Sequence, residues 1–199
     1  TFGRNLAILL GDLAHARATR LADELPDDLR ATWHELCLEL IAGQRADLTG
    51  AAAGRRDREH AERIARLKSG SYSVWRPLQL GALAAGADVA QLERLQAFGD
   101  HIGRAFALRD DLLGLWGDPA VTGKPAGDDL ISGKATVILA LANETLTGAD
   151  AELLQHPQGR VVEALAALQR AGIDQQVERL IGAEVRAART VLAGGGLQA

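Results

Sequence analysis

At 199 residues and 47% hydrophobic, the chain is long enough to close one domain around a real core. Its formal net charge of -4 argues against a nucleic-acid footprint, and no run approaches the ~18 apolar residues that a membrane span needs, so no stable membrane insertion is expected. One cysteine, Cys37, leaves no internal disulfide and suits a reducing, cytoplasmic compartment; its apolar helical setting reads as a small core hydrophobe. Ala and Leu dominate and aromatics are only 4%, which favours helix over sheet. The chain holds no Met, so Thr1 is not expected to be a native start and an N-terminal segment is expected to precede it.

Taken in order, the chain reads as helices with short breaks. Apolar residues recur through 3–24, at Leu6, Leu9, Leu10 and Leu13. Pro26-Asp27-Asp28 starts a second helix, because Pro fits a first turn and acids suit a helix N-terminus. That helix carries Leu29, Trp33, Leu36, Leu40 and Ile41 and runs towards Gln44 and Asp47. Gly50 to Gly54 predicts a break. A charged helix follows over Asp57–Lys68, with the stripe Ala61, Ile64, Ala65 and Leu67, and Ser69-Gly70-Ser71 is expected to interrupt it. An apolar helix spans 72–86. Asp88 is placed to cap the longest helix, about 88–116. Gly117 to Gly127, with two prolines, reads as a loop. A short helix near 128–132 and an apolar one at about 134–144 follow, then two or three amphipathic helices over 150–193, broken at Gly172. Gly194-Gly195-Gly196 reads as a frayed tail. No strand and no fixed-period repeat is read. The expected fold is all-α, one helical domain over 1–199.

The chemistry concentrates between Arg109 and Thr136. Asp110 and Asp111 stand near the end of the long helix, about 100° apart around it. A lone acid pair reads as solvated, yet a helix C-terminus is where the macrodipole disfavours acids, and a local conflict of that kind marks functional sites. A divalent cation between the two carboxylates removes the conflict. Asp118 shares the face of Asp111 if the helix persists past Gly117. Of 22 basic residues only Lys68, Lys124 and Lys134 are lysine, and Lys124 and Lys134 each follow a glycine. A compact ammonium differs from the planar guanidinium fork, and Gly lets backbone approach a ligand closely. Carboxylates for hard cations followed by ammonium groups for phosphate oxygens point to a metal-bound diphosphate.

These residues fall into a known order. Phe106-Ala107-Leu108-Arg109-Asp110-Asp111 is followed by Gly117-Asp118, Gly123-Lys124, Gly127-Asp128-Asp129-Leu130 and Gly133-Lys134-Ala135-Thr136. Upstream stand Lys68-Ser69-Gly70, Gly43-Gln44 with Asp47, and Phe2-Gly3 through Ala7-Ile8 to Gly11-Asp12. The set resembles the trans-isoprenyl diphosphate synthases, or polyprenyl synthetases, over most of residues 1–145. The resemblance implies an isoprenoid-synthase-like helical bundle around a deep apolar central cavity, working as a homodimer. It implies Mg²⁺ between two facing Asp-rich motifs, an allylic prenyl diphosphate ionised there, and attack by isopentenyl diphosphate to give a C15–C20 product. By matched position it makes Asp110 and Asp111 metal ligands. Lys68 and Lys124 hold the allylic diphosphate and Lys134 supports the cluster. Ser69 stands where a Thr helps stabilise the cation, and Asp128 orients Lys68. The chain departs from the family pattern at Gly114, where the last Asp of the second motif stands, and at Ala107, where Gln stands. The first Asp-rich motif is absent from these residues and in the family lies upstream of the segment matching Phe2 to Asp12, so the resemblance gives this chain about half of the metal cage and it is not expected to catalyse alone.

Two other readings remain open on the residues. One is a non-catalytic synthase-like subunit that binds and modulates an active partner; the other is a terpene cyclase using the same cage. Trp33 and Trp75 read as packing residues, and Trp116, nearest the acids, as one that can cover the site. The five histidines have no metal spacing, and Arg55-Arg56 with Arg58 reads as an exposed basic loop.

Overall fold

The computed structural model describes residues 2–123 and 125–194; Lys124 and the tail glycines Gly195 and Gly196 lie outside the described residues. The described residues form helices and no strand. The helices are α1 (Phe2–Ala22), α2 (Asp27–Ala52), α3 (Arg58–Ile64), a π-helix (Ala65–Trp75), α4 (Arg76–Ala84) and α5 (Val89–Trp116), then the single turns α6 (Pro119–Thr122) and α7 (Asp128–Ile131), and last α8 (Val137–Thr145), α9 (Gly148–Gln155), α10 (Val161–Arg170) and α11 (Ile173–Ala193).

The start signals work as capping chemistry requires. Asp88 and Gln91 close a reciprocal capping box at the head of α5, with hydrogen bonds of 2.8 and 2.9 Å. Asp57 caps α3 and Thr136 caps α8 through the amide of Leu139. Gly172, at φ +70°, turns the chain into α11.

Helix α5 is the hub. It packs against the π-helix on one side and α11 on the other, while α2 lies on the π-helix and α4. Short α8 is the centre of the core. Its residues Val137 to Ala142 are all buried, and Leu115, Leu130, Leu154, Leu168, Ile173 and Val177 surround it. Burying a Leu or Ile side chain contributes about 1.5–3 kcal/mol, so this cluster carries the stability of the C-terminal half. By contrast α1 buries only Ala22, and Phe2, Ile8, Leu9 and Leu10 are 80%, 58%, 64% and 56% exposed.

Four expectations are corrected. Ser69-Gly70-Ser71 does not interrupt a helix: the π-helix carries the chain unbroken from α3 into α4. Glycine serves close approach there, since a Cβ on Gly103 of α5 would lie 2.8 Å from Gly70 Cα. Gly50 does not end α2 either, because it lies inside the helix under the His60 ring, whose Cδ2 would sit 2.9 Å from an added Cβ. The apolar helix expected from 134 begins at Val137, which leaves Lys134 in the turn before it. Finally, α5 stops at Trp116, so Asp118 does not continue the face of Asp111; it caps α6 by accepting from the amide of Ala120 at 2.9 Å.

Candidate active site

One face of α5 builds one wall of the site. Gly99, Gly103, Ala107, Asp110 and Gly114 recur at spacings of four, four, three and four, which stacks them along one helical stripe. The small residues let the π-helix cross backbone to backbone at Gly103. That crossing sets Lys68 and Ser69 opposite the acids two turns further along α5. In a π-helix each turn holds more residues than in an α-helix, so consecutive side chains diverge less. Lys68 and Ser69 therefore both reach the same cleft.

Helix α2 fixes Lys68 from behind. A Cβ on Gly43 would lie 2.8 Å from the Lys68 amide nitrogen, so only Gly lets α2 come this close. Asp47 stands one turn on from Gly43, on the same face, and takes the Lys68 ammonium at 2.5 Å. Asp47 is thus the residue that orients Lys68. The expectation that Asp128 does so is corrected: the Lys68 ammonium goes to Asp47, while Asp128 begins α7 outside the cleft wall and is a nearby negative charge on Lys134.

The third wall is the turn between α7 and α8. Asp129, 7% exposed, holds the Lys134 ammonium through its carboxylate, and its carbonyl accepts from the Lys134 amide at 3.1 Å. Burial works against the charge on Lys134, but the Asp129 carboxylate outweighs it and raises the ammonium's pKa. Asp111 accepts from the Val137 amide at 3.2 Å and so ties α5 to the N-terminus of α8. It keeps some contact with solvent in the cleft, yet protein crowds its carboxyl on most sides. Burial first, then the neighbouring charges of Asp129 and Asp110, push its pKa up to about 8, against the pull of the Val137 amide and Lys134. Asp110 beside it is exposed and lines the same cleft.

The cleft of about 60 Å³ thus gathers Lys68, Ser69, Lys134, Asp110 and Asp111, and adds Asp47 and Asp129. Asp128 stands outside it, and Lys124 lies outside the described residues. Sequence reasoning quoted Asp47 and Asp129 within motifs without giving them a role. The available signal was spacing: Asp47 follows Gly43 by one turn, and Asp129 is the acid of the Gly-x-Asp-Leu pattern. Among the described residues no three acidic or imidazole side chains converge as a ready-made metal site. Mg²⁺ does not need one, because it takes one or two carboxylates and completes its shell with water and substrate phosphate. The hard oxygen donors on this wall suit that ion.

A second cavity, about 580 Å³, lies next to the cleft, and the two share Ala65 and Ala107 as walls. Leu67, Trp75, Leu108 and Leu180 give it apolar walls. The expectation of an apolar cavity is corrected, because charged residues from the π-helix, α3 and α5, among them Arg58, Arg66, Asp100 and Arg104, line it together with Glu39 and Arg76. Those two neutralise each other through bonds of 2.6 and 3.0 Å, and Ser71 donates to the same carboxylate. Burial alone would raise the Glu39 pKa, but the bonds from Arg76 and Ser71 bring it below the usual carboxylate value. Ala107, 4% exposed, stands where cleft and cavity meet. Trp116 does not cover the cleft: it lines a separate groove with Arg109 and Glu178, between α5 and α11. The basic run is used locally, with Arg55 on Asp57, Arg58 on Glu62, and Arg56 on the Leu154 carbonyl at 3.0 Å.

The fold and the sequence both match a known family. The polyprenyl synthetase family model matches residues 1–171, and the chain belongs to that family. It is 38% identical over 157 residues to a geranylgeranyl diphosphate synthase of Mycobacterium tuberculosis, covering 76% of this chain and 45% of that one. A farnesyl diphosphate synthase of Geobacillus stearothermophilus is 36% identical over 169 residues, covering 78% and 54%. The fold is similar, at a TM-score of 0.89 and 33% identity, to geranylgeranyl pyrophosphate synthase from Corynebacterium glutamicum complexed with isoprenyl diphosphate and magnesium, over 96% of this chain and 58% of that one. The chain therefore spans about half the length of the relatives it matches.

Proposed function

We propose that this chain carries one wall of the active site of a short-chain prenyltransferase. The enzyme condenses an allylic prenyl diphosphate with isopentenyl diphosphate to a C15–C20 product. The observation that carries the reading is the charged cleft lying next to a cavity of about 580 Å³, the two sharing Ala65 and Ala107 as walls. Relatives whose names state geranylgeranyl and farnesyl diphosphate synthesis support the same substrates.

In this reading Lys68 and Lys134 turn from Asp47 and Asp129 to the oxygens of the allylic diphosphate, and Lys124 joins them. Asp110 and Asp111 hold Mg²⁺, which when bound neutralises charge on the leaving diphosphate. The C–O bond breaks and its electron pair leaves with the diphosphate. The Ser69 hydroxyl and the cleft dipoles face the allylic cation. The double bond of isopentenyl diphosphate attacks C1, a proton is lost, and a diphosphate five carbons longer leaves with inorganic pyrophosphate. A second acid cluster, from residues outside these 199, faces the cleft and completes the cage around this single helical domain. The exposed apolar face of α1 supports a second copy of the protein as partner. No described helix is long and apolar enough to cross a membrane, and the reading places the enzyme in the cytoplasm.

The test is an assay of the whole protein with isopentenyl diphosphate, an allylic diphosphate and Mg²⁺. Elongated diphosphate is expected. Release of cyclised hydrocarbon without isopentenyl diphosphate would favour a cyclase, and elongation appearing only with an added active subunit would favour a modulating partner.

A further inference from the structure

Helix α2 meets the π-helix at three heights along one stripe. Glu39, Gly43 and Asp47 recur at spacings of four and so share a face of α2. Asp47 takes the Lys68 ammonium, and Gly43 lies against the backbone of Leu67 and Lys68. Neither contact fixes how the π-helix is wound. Glu39 does. One of its carboxylate oxygens accepts from Ser71 Oγ and from Arg76 Nε at 3.0 Å, and the other accepts from Arg76 Nη2 at 2.6 Å. Ser71 and Arg76 also share a backbone hydrogen bond, from the Arg76 amide to the Ser71 carbonyl. That five-residue step is the mark of a π-helix. In an α-helix five residues sweep ~500°, which would leave the two side chains about 140° apart around the axis. One carboxylate between them therefore favours the π winding over the α winding. Glu35, 3.7 Å from the same guanidinium, makes no bond to Ser71 and cannot stand in for Glu39.

Resting on the diphosphate reading, we infer that Glu39 is a positioning residue for Lys68 and acts by holding Ala65–Trp75 in the π winding. Glu39 lines the neighbouring cavity and not the charged cleft, so it touches no group assigned to the diphosphate. Its effect reaches the cleft along the helix. Ser71 stands three residues after Lys68, and the wide turn between them sends Lys68 and Ser69 to one cleft while Leu67, Gly70 and Ser71 stay buried. A return to α winding turns the residues ahead of Ser71 against those after it. The Lys68 ammonium then leaves its place opposite the acids of α5. Asp47 holds the tip of Lys68, and Glu39 holds the backbone that presents it.

The experiment titrates inorganic pyrophosphate with Mg²⁺ into the whole protein by calorimetry. The variants are Glu39→Gln, Lys68→Met, the two combined, and Ser71→Ala. Glu39→Gln keeps the shape and is expected to weaken pyrophosphate binding by about fivefold or more. Removing a negative charge by itself favours an anion, so a loss has the sign opposite to the direct charge effect. In the Lys68→Met background the same change is expected to weaken binding by less than about twofold, because the residue that Glu39 acts through is gone. Hydrogen exchange of the metal-free protein, read by mass spectrometry, follows the winding. Peptides spanning Ser71–Arg76 are expected to exchange about tenfold faster in Glu39→Gln, with those of α8 unchanged. Wild-type affinity in Glu39→Gln, equal losses in both backgrounds, or unchanged exchange over Ser71–Arg76 overturns the inference. If Glu39→Gln loosens α8 as well, Ser71→Ala decides, since it removes one bond and no charge. Faster exchange over Ser71–Arg76 with weaker pyrophosphate binding then supports the inference, and wild-type behaviour overturns it. If the wild type takes up no pyrophosphate, or Lys68→Met binds it as well as the wild type, the diphosphate reading falls and the inference with it. If Lys68→Met loses affinity while Glu39→Gln does not, the inference falls alone.

Discussion

The cleft and helix α1 break the inside-out rule of globular proteins in opposite senses. Around the cleft, charged groups are drawn inward: Asp129 is 7% exposed and Lys134 and Asp111 are half-buried. Along α1, apolar groups are turned outward, with Leu9 64% and Phe2 80% exposed. Buried charge costs stability unless it is paired, and exposed apolar surface costs solubility unless it is covered. In the cleft the buried charges answer one another, Lys68 with Asp47 and Lys134 with Asp129, whereas α1 turns its apolar residues outward.

Four measurements break or sharpen that contrast, from the largest expected effect to the smallest. In the whole protein, Asp110→Asn removes a carboxylate that the reading assigns to the cation. It should lower kcat by about a thousandfold, worth about 4 kcal/mol. Wild-type turnover would return Asp110 to the status of a solvated surface acid.

Lys134→Met leaves the Asp129 carboxylate buried and unpaired. Breaking a buried pair from one side costs about 3 kcal/mol. Chemical denaturation at pH 7 should show that loss, and an unchanged midpoint would mean that Asp129 is well solvated.

Asp111 gives the cleft a pH signature in the metal-free chain. Its pKa is raised from 3.8 to about 8 by folding. Below the lower value both folded and unfolded chains hold the proton. Between the two values only the folded chain holds it, so stability falls as pH rises across that window and stays low above it. Asp111→Asn should therefore raise the unfolding midpoint at pH 9, by on the order of 2 kcal/mol, and change little at pH 4. A flat difference across pH would place the Asp111 carboxyl in water.

The α1 face answers differently. Leu9→Asp should shift unfolding of the single chain by no more than about 0.5 kcal/mol, because Leu9 touches little. The same change should weaken self-association in sedimentation. A large loss of stability with no change in mass would show that α1 is covered from within the chain.

What was legible in the sequence was local. Asp88 as a cap, the 28-residue α5, the short α7, the Gly172 turn and the order of Asp and Lys motifs are all written within a few residues of one another. Helical periodicity and capping act over one turn, so they survive reading along the chain. That was enough to read an all-α fold and the family, and to name five residues that the folded chain places in one cleft.

Only tertiary packing decided the rest. Lys68 takes Asp47, 21 residues away, and not Asp128, because Gly43 lets α2 lie against the π-helix. Ser69-Gly70-Ser71 stays helical because Gly70 meets the backbone of Gly103, and a break signal read locally cannot foresee that partner. Gly114 leaves room for the Asp129 carboxylate, which reaches it from α7, a contact that no local spacing announces. The exposure of α1 has the same origin: its leucines differ little from those of buried α8, and burial depends on what packs alongside. Sequence encodes each helix through contacts three and four residues apart. Which side chains share a cleft is set by where those helices cross.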